Sequence, residues 1–411
     1  MIAAVTRRKL YYGWVVVGTL ATTETISWGI LYYAFAAFLV PMQQELGWST
    51  AALTGAYSLA LLVSGLAAVP VGRWVDRHGP RLLMTLGSIG GTILLLTWAR
   101  VESLPGFYLL WLLMGLVLAA TLYEPAFTVV ATWFHRLRGR ALLLLTFVAG
   151  FASTIFLPVT TALIEQMGWR QALVALAALL AVTTIPAHAL VLRRRPEDLG
   201  LLPDGERSRE ERHGDAHPAI EGVSLRHALH EHGFWWLTAA FFFGTLASVA
   251  VAVHLIPFLL AEGYAPGFAA AATGLIGATQ VAARVVVTLV GNRCPAVPLT
   301  AAVFALQGVA VLVLLTWQQV TGVLLAVILL GAGRGAVTLM RASLVAERYG
   351  RAHYGAIGGA LALFVSGAAA LAPVGAGVAY QVAGGYPVVF AGLAGISGLA
   401  ALSMVGMQRW G

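Results

Sequence analysis

Gly72-Arg73-Trp74-Val75-Asp76-Arg77-His78-Gly79-Pro80-Arg81 stands between two apolar runs that begin near residues 50 and 82. Gly72 has no side chain where the first run ends, so a second helix can pack closely there. Gly79 supplies a turn, and Asp76 can pair with an arginine or cap a neighbouring helix. A contact of that kind would latch one conformation, and breaking it would release another. Its candidate residues are Gly72, Asp76, Arg77, Gly79 and Arg81; the alternative is a basic loop that merely obeys membrane topology.

Outward from this decapeptide the same pattern repeats. Apolar runs bounded by charged or turn residues begin near residues 10 to 15, 50, 82, 106, 140, 170, 234, 267, 298, 320, 354 and 386. At about 20 apolar residues per crossing, they read as twelve spans. The chain of 411 residues is 59% hydrophobic and 10% charged, against roughly 25% charged in soluble domains. Those figures exclude a soluble globular protein, a disordered tail and a nucleic-acid module. Cys294 alone cannot build a disulfide scaffold, a zinc ribbon or an iron-sulfur cluster. The runs are rich in Ala and Gly, which let helices pack where lipid gives no hydrophobic force between them. No alternating ten-residue strands suggest a β-barrel.

Charge sets the expected orientation. With the N-terminus inside, the inside segments hold Arg7, Arg8, Lys9, Arg73, Arg77, Arg81, Arg136, Arg138, Arg140, Arg193, Arg194, Arg195, Arg293, Arg348, Arg351 and Arg409, while the outside loops hold Arg100 and Arg170. The positive-inside rule then puts both termini in the cytoplasm. Met1 to Arg8 shows no cleavable signal pattern, because its charges lead into a full-length span. The long polar segment 193–232 reads as a cytoplasmic linker between an N-terminal bundle, 1–192, and a C-terminal bundle, 233–411. Its His227, His230 and Glu231 would share one helix face and could hold a metal, although solvated loop histidines are the commoner case. The halves echo each other at a spacing near 216 to 219: Gly47-Trp48 with Gly263-Tyr264, Thr54-Gly55 with Thr273-Gly274, Gly168-Trp169-Arg170 with Gly384-Gly385-Tyr386. The expected fold is all-α: twelve transmembrane helices in two six-helix bundles related by a parallel repeat.

The opening decapeptide resembles the G-x-x-x-D-R-x-G-x-R loop of the major facilitator superfamily. The equivalent loop of the second half, Gly291-Asn292-Arg293, has no acid. Further pieces resemble bacterial monocarboxylate-transporter-like and oxalate/formate-antiporter-like members. They are Gly13-Trp14-Val15-Val16-Val17 in span 1, His254-Leu255-Ile256-Pro257-Phe258-Leu259 in span 7, Arg284 in span 8, and the run from Arg195-Pro196-Glu197-Asp198-Leu199-Gly200 to Asp204-Gly205. The resemblance covers the whole length and implies a secondary transporter of the cell membrane, the inner membrane of a bacterium. It also implies a central cavity lined by spans 1, 4, 7 and 10.

Ionisable residues inside a bilayer are costly and mark function by default. They are Glu24 in span 1, Glu124 in span 4, His254 in span 7, Arg284 in span 8, and Arg334 and Arg341 in span 10. At about 1.5 Å per residue, Glu24 and Arg334 fall near mid-depth, while Arg341 lies deep enough to snorkel and is discounted. Glu24, Trp28, Tyr32 and Phe35 form a stripe on span 1. The resembled monocarboxylate transporters carry an arginine in span 8 preceded one turn earlier by an aspartate; here Gln280 stands in that place. Arg284 is therefore the expected carboxylate anchor, its planar fork suited to bidentate binding. Arg334 is a second candidate contact, although Gly331, Gly333 and Gly335 around it also fit a structural charge. The resembled oxalate exchangers have a cation in span 11, which this chain lacks unless Arg334 substitutes. Glu24 and Glu124 are the candidate proton carriers, the alternative being permanent pairing with Arg284 or Arg334. His254 and Tyr123 can donate to a carboxylate, and Trp28 and Tyr32 shape the cavity. Pro125, Pro158, Pro257 and Pro373 would bend their helices.

The expected function is proton-coupled transport of a small organic anion, a monocarboxylate, by alternating access, without a cofactor and as a functional monomer. Exchange of dicarboxylate or formate and efflux of hydrophobic compounds are the alternatives. A membrane enzyme is disfavoured: the sequence shows no His-Glu-x-x-His, phosphate loop or serine nucleophile with a neighbouring base.

Overall fold

The computed structural model describes residues 11–205, 222–291 and 294–410, and every regular element among them is helical. In hydrocarbon a backbone N–H or C=O has no water to bond, so each apolar run closes its own hydrogen bonds. Among the described residues, twelve helices are long and apolar enough to cross a membrane: α1 (Tyr12–Leu46), α2 (Ala52–His78), α3 (Pro80–Trp98), α4 (Leu104–Trp133), α5 (Arg138–Met167), α6 (Trp169–Val191), α7 (His232–Ala261), α8 (Gly267–Leu289), α9 (Ala296–Thr316), α10 (Val320–Tyr349), α11 (Tyr354–Ala383) and α12 (Tyr386–Gln408). Their starts follow the turn and charge boundaries of the sequence.

The helix pairings repeat at an offset of six. α1 packs on α5 as α7 does on α11, α2 on α4 as α8 on α10, and α3 on α6 as α9 on α12. Helix ends repeat as well. Gly47 and Gly263 have φ of 69° and 87°, and Gly168 and Gly384 have φ of 79° and 72°. Those values suit glycine, so the same stop signals close the matching helices of each half. The two bundles meet through α2 against α11 and α5 against α8, a pair of contacts that the repeat exchanges.

The apolar core shows where the halves are closed. On the face that carries the linker, one buried cluster joins them, from Val16, Phe127 and Leu142 to Tyr349, Ile357 and Met404. Toward the opposite face it divides into one cluster of the first half, around Phe38, Trp98 and Trp111, and one of the second, around Phe258, Leu314 and Phe390. The structure is thus sealed at the linker face and parted at the far face. The seal brings backbone against backbone: a Cβ on Gly72 would lie 1.8 Å from the Gly355 carbonyl oxygen, and one on Gly359 would lie 2.3 Å from that of Ala68.

The linker is tied to this face. After α6 come 3-10 turns at Pro196–Leu199 and Pro203–Gly205. Asp204 accepts from the N–H groups of His135, Arg136 and Leu137, at 3.2, 2.7 and 3.0 Å, where α5 begins. Before α7 stands a short helix, Leu225–His230. Glu231 follows it, 3.1 Å from His227 Nε2 and 3.3 Å from Arg348, so this acid serves a cation of α10. Arg7, Arg8, Lys9, Arg293 and the middle of the linker, 206–221, lie outside the described residues.

Candidate functional site

Three helices of the first half lose regularity at mid-depth. In α1 the segment Trp28–Tyr33 is a π-helix, in which the Ala34 N–H reaches the Gly29 carbonyl at 2.8 Å. Its wider turn carries both tyrosines to the same side as the tryptophan. Trp28 lies 4.8 Å from Tyr32 and 6.1 Å from Tyr33, ring to ring, and 4.9 Å from Tyr123 of α4. The π turn also breaks the expected stripe: Phe35 is buried in the first-half core, stacked on Tyr57 at 4.5 Å. α4 is interrupted at Leu122, so Tyr123, Glu124 and Pro125 open a new helical turn. α5 breaks at Gly150–Phe151. Pro257 and Pro373 lie within continuous helices and Pro158 within the segment of α5 that follows its break, whereas Pro125 stands in the first turn of a helical segment.

The charges around these breaks have contrasting surroundings. Glu24 is fully buried, and neither carboxylate oxygen has a hydrogen-bond partner. The Trp28 indole N–H is within reach of that carboxylate without a full hydrogen bond to it, and the Ser27 hydroxyl has no partner. Glu124 pairs across the bundles with Arg341 of α10. The discounting of Arg341 as a snorkelling residue is therefore corrected, and its partner is not one the sequence suggested. Arg284 is buried; its Nη1 donates to the Thr146 carbonyl of α5, and its Nε has no partner. Arg334 is half-buried and donates to the Ser248 carbonyl of α7 at 3.0 Å. Tyr33 is within electrostatic reach of both arginines, and Tyr123 of Arg284 and Glu24.

Glu24, Trp28, Tyr32, Tyr123, Arg284 and Arg334 are thus drawn together, with Tyr33 added. His254 stands apart. Its Nε2 lies 3.1 Å from the Pro373 carbonyl of α11 and its ring 5.9 Å from Tyr386. It is six residues beyond Ser248, or about 9 Å along the helix toward the far face. Glycines let α10 pack closely: a Cβ on Gly335 would lie 2.1 Å from the Gln280 carbonyl, and one on Gly333 would lie 2.5 Å from Gln307. Gln280 therefore meets α10 through its backbone, where the resembled transporters have an acid.

At the loop first quoted, Asp76 caps a helix. Its two oxygens accept from the N–H groups of Gly355 and Ala356, at 2.9 and 2.8 Å, in the first turn of α11. Those N–H groups have no partner inside their own helix, and the positive helix end favours a carboxylate. Gly79 takes φ of 80°, with Arg194 packed where a Cβ would stand. Arg77 and Arg81 are exposed and outside the contact. Arg351 adds a second tie, donating to the Thr132 carbonyl at 3.4 Å and lying 3.6 Å from Glu197.

The family model of the Major Facilitator Superfamily matches residues 20–301, and the chain belongs to that family of membrane transporters. It is 29% identical over 259 residues to an uncharacterized 38 kDa protein in the 23S RNA operon of Thermoproteus tenax, covering 60% of this chain and 61% of that one. It is 27% identical over 139 residues to the oxalate:formate antiporter of Oxalobacter formigenes, covering 33% and 32%. The match thus spans less than two thirds of either relative. A solved structure of the Escherichia coli fucose:proton symporter FucP is similar with TM-score 0.72 and 14% identity over 97% of this chain and 99% of that one. A second structure, of FucP in the outward conformation, has TM-score 0.74 over 96% and 99%. At this identity the likeness is one of fold.

Proposed function

We propose that this protein is a secondary transporter that moves a small organic monocarboxylate together with a proton by alternating access. Arg284 anchors the carboxylate and Glu24 carries the proton. The carrying observation is the pair of opposite groups at the site: a buried guanidinium whose Nε–H is unbonded on one half and a buried carboxylate without a counter-charge on the other. Each lacks what the cargo brings. Tyr123, Trp28 and Tyr32 wall the site, Arg334 is a second cation beside it, and His254 lines the route from the far face. Glu124, already neutralised by Arg341, serves the seal between the halves.

The linker face, which bears Arg73, Arg77, Arg81, Arg136, Arg140, Arg193, Arg194, Arg195, Arg348 and Arg351, is the cytoplasmic side by the positive-inside rule. The state described is then open to the outside, with residues 1–192 and 233–411 as the rocking units. Arg334 near Arg284 favours exchange of a dianion as a second reading. Counterflow in proteoliposomes over a panel of mono- and dicarboxylates separates the two. A monocarboxylate should exchange, with Arg284→Ala abolishing the exchange and Arg284→Lys reducing it at least tenfold, since an ammonium keeps the charge but not the fork. Normal counterflow in Arg284→Ala would reject the anchor, and a preference for dicarboxylates would favour the second reading.

A further inference from the structure

Arg284 is on α8, whereas the carbonyl it bonds, that of Thr146, is on α5 of the other bundle. That oxygen already accepts from the Gly150 N–H at 2.9 Å, so the guanidinium uses its second lone pair. The approach depends on position 150 having no side chain. A Cβ there would stand 2.8 Å from Arg284 Nη1 and 3.1 Å from a Val281 methyl. Backbone conformation does not demand glycine, because φ is −62° and ψ is −22°. With Nη1 held, the edge formed by Nε and Nη2 is the one that can take a carboxylate bidentately.

Depth adds the consequence. Thr146 and Arg284 lie roughly 8 to 12 Å inside the linker-face ends of α5 and α8, at 1.5 Å per residue. This is the sealed side. Rocking that opens the linker face parts α5 from α8 and takes the carbonyl away from the guanidinium.

We infer that Gly150 and the Thr146 carbonyl are positioning groups for the anion site: they hold Arg284 in its carboxylate-binding pose only while α5 and α8 are together. The site then binds a carboxylate more tightly with the linker face sealed than with it open. This rests on the reading of Arg284 as the anchor. A ligand that prefers one state shifts the population toward it, so anion loads from the far face and is released at the linker face.

Spin labels at Arg140→Cys and Leu289→Cys, both exposed positions, report the separation of α5 and α8 in the full chain with Cys294→Ala. L-Lactate, pyruvate, formate and oxalate are the probes. At least one should enrich the short distance. Gly150→Ala should raise the concentration needed by about tenfold, the loss of roughly one charged hydrogen bond. Val281→Ala, which touches the same space without making the bond, should keep the wild-type midpoint and so controls for local repacking. A wild-type midpoint in Gly150→Ala, with the response lost in Arg284→Ala, overturns the positioning role and leaves the anchor standing. A response retained in Arg284→Ala overturns the anchor and this inference with it. Lengthening on adding anion reverses the sign and overturns the inference, and no response to any of the four overturns both.

Discussion

Glu24 has both carboxylate oxygens unbonded, whereas Glu124 shares an ion pair with Arg341 across the bundles. An ionised carboxylate buried without hydrogen bond or counter-charge costs several kcal/mol, and a bound proton removes that cost. The paired acid has no such need. Glu124→Gln should therefore leave the proton step intact and weaken the seal, because Arg341 keeps a hydrogen-bonding partner but loses its counter-charge. We expect the open-to-sealed ratio at the linker face to rise by about tenfold, read as alkylation of a cysteine placed at Thr132. Unchanged alkylation with a lost proton response would return the coupling role to Glu124. The sequence placed both acids in the membrane but could not distinguish them. What separates them is whether a cation from another helix arrives, and Arg341 comes from 217 positions away. The carbonyls of Thr146 and Ser248 are invisible to sequence reading for a related reason: every residue has one, and only packing selects which accept.

At the scale of elements, span boundaries were legible because helix stops are written as glycine and charge, and the lipid forces each apolar run to be a helix. The π turn of α1 and the breaks in α4 and α5 were not. Pro125 hinted at one, but Pro158, Pro257 and Pro373 look alike in sequence and mark no break: Pro257 and Pro373 sit in unbroken helices, and Pro158 lies within the segment that follows the break in α5. The α2–α11 contact lies between these extremes. Gly72 and Asp76 were readable as a close-packing glycine and a helix-capping acid, but the partner, the first turn of α11, required the fold. Gly72→Ala should hold the halves apart, since its Cβ would enter the Gly355 carbonyl. Asp76→Ala should cost about 1 kcal/mol of seal, as loss of a helix cap does. Transport should fall in both variants, and further in Gly72→Ala, with anion binding weakened in each only as far as the seal is lost. Equal loss of binding in both would show that the loop acts on the site itself.

For the whole molecule, the core joined at one face and divided at the other defines a single-sided opening. Which side it faces depends on topology. Cysteines at Leu199 and Glu102, with Cys294→Ala, should react with an impermeant thiol reagent from the cytoplasm and from outside, respectively. The reverse pattern would make the described state inward-open and turn the transport direction around. The central claim, that a proton on Glu24 accompanies a carboxylate on Arg284, is tested most directly by comparing two fluxes in the same Glu24→Gln proteoliposomes. These are counterflow at equal pH and accumulation driven by a pH gradient. Counterflow retained within a few-fold of wild type with accumulation abolished is the predicted result; accumulation that still follows the gradient would contradict it.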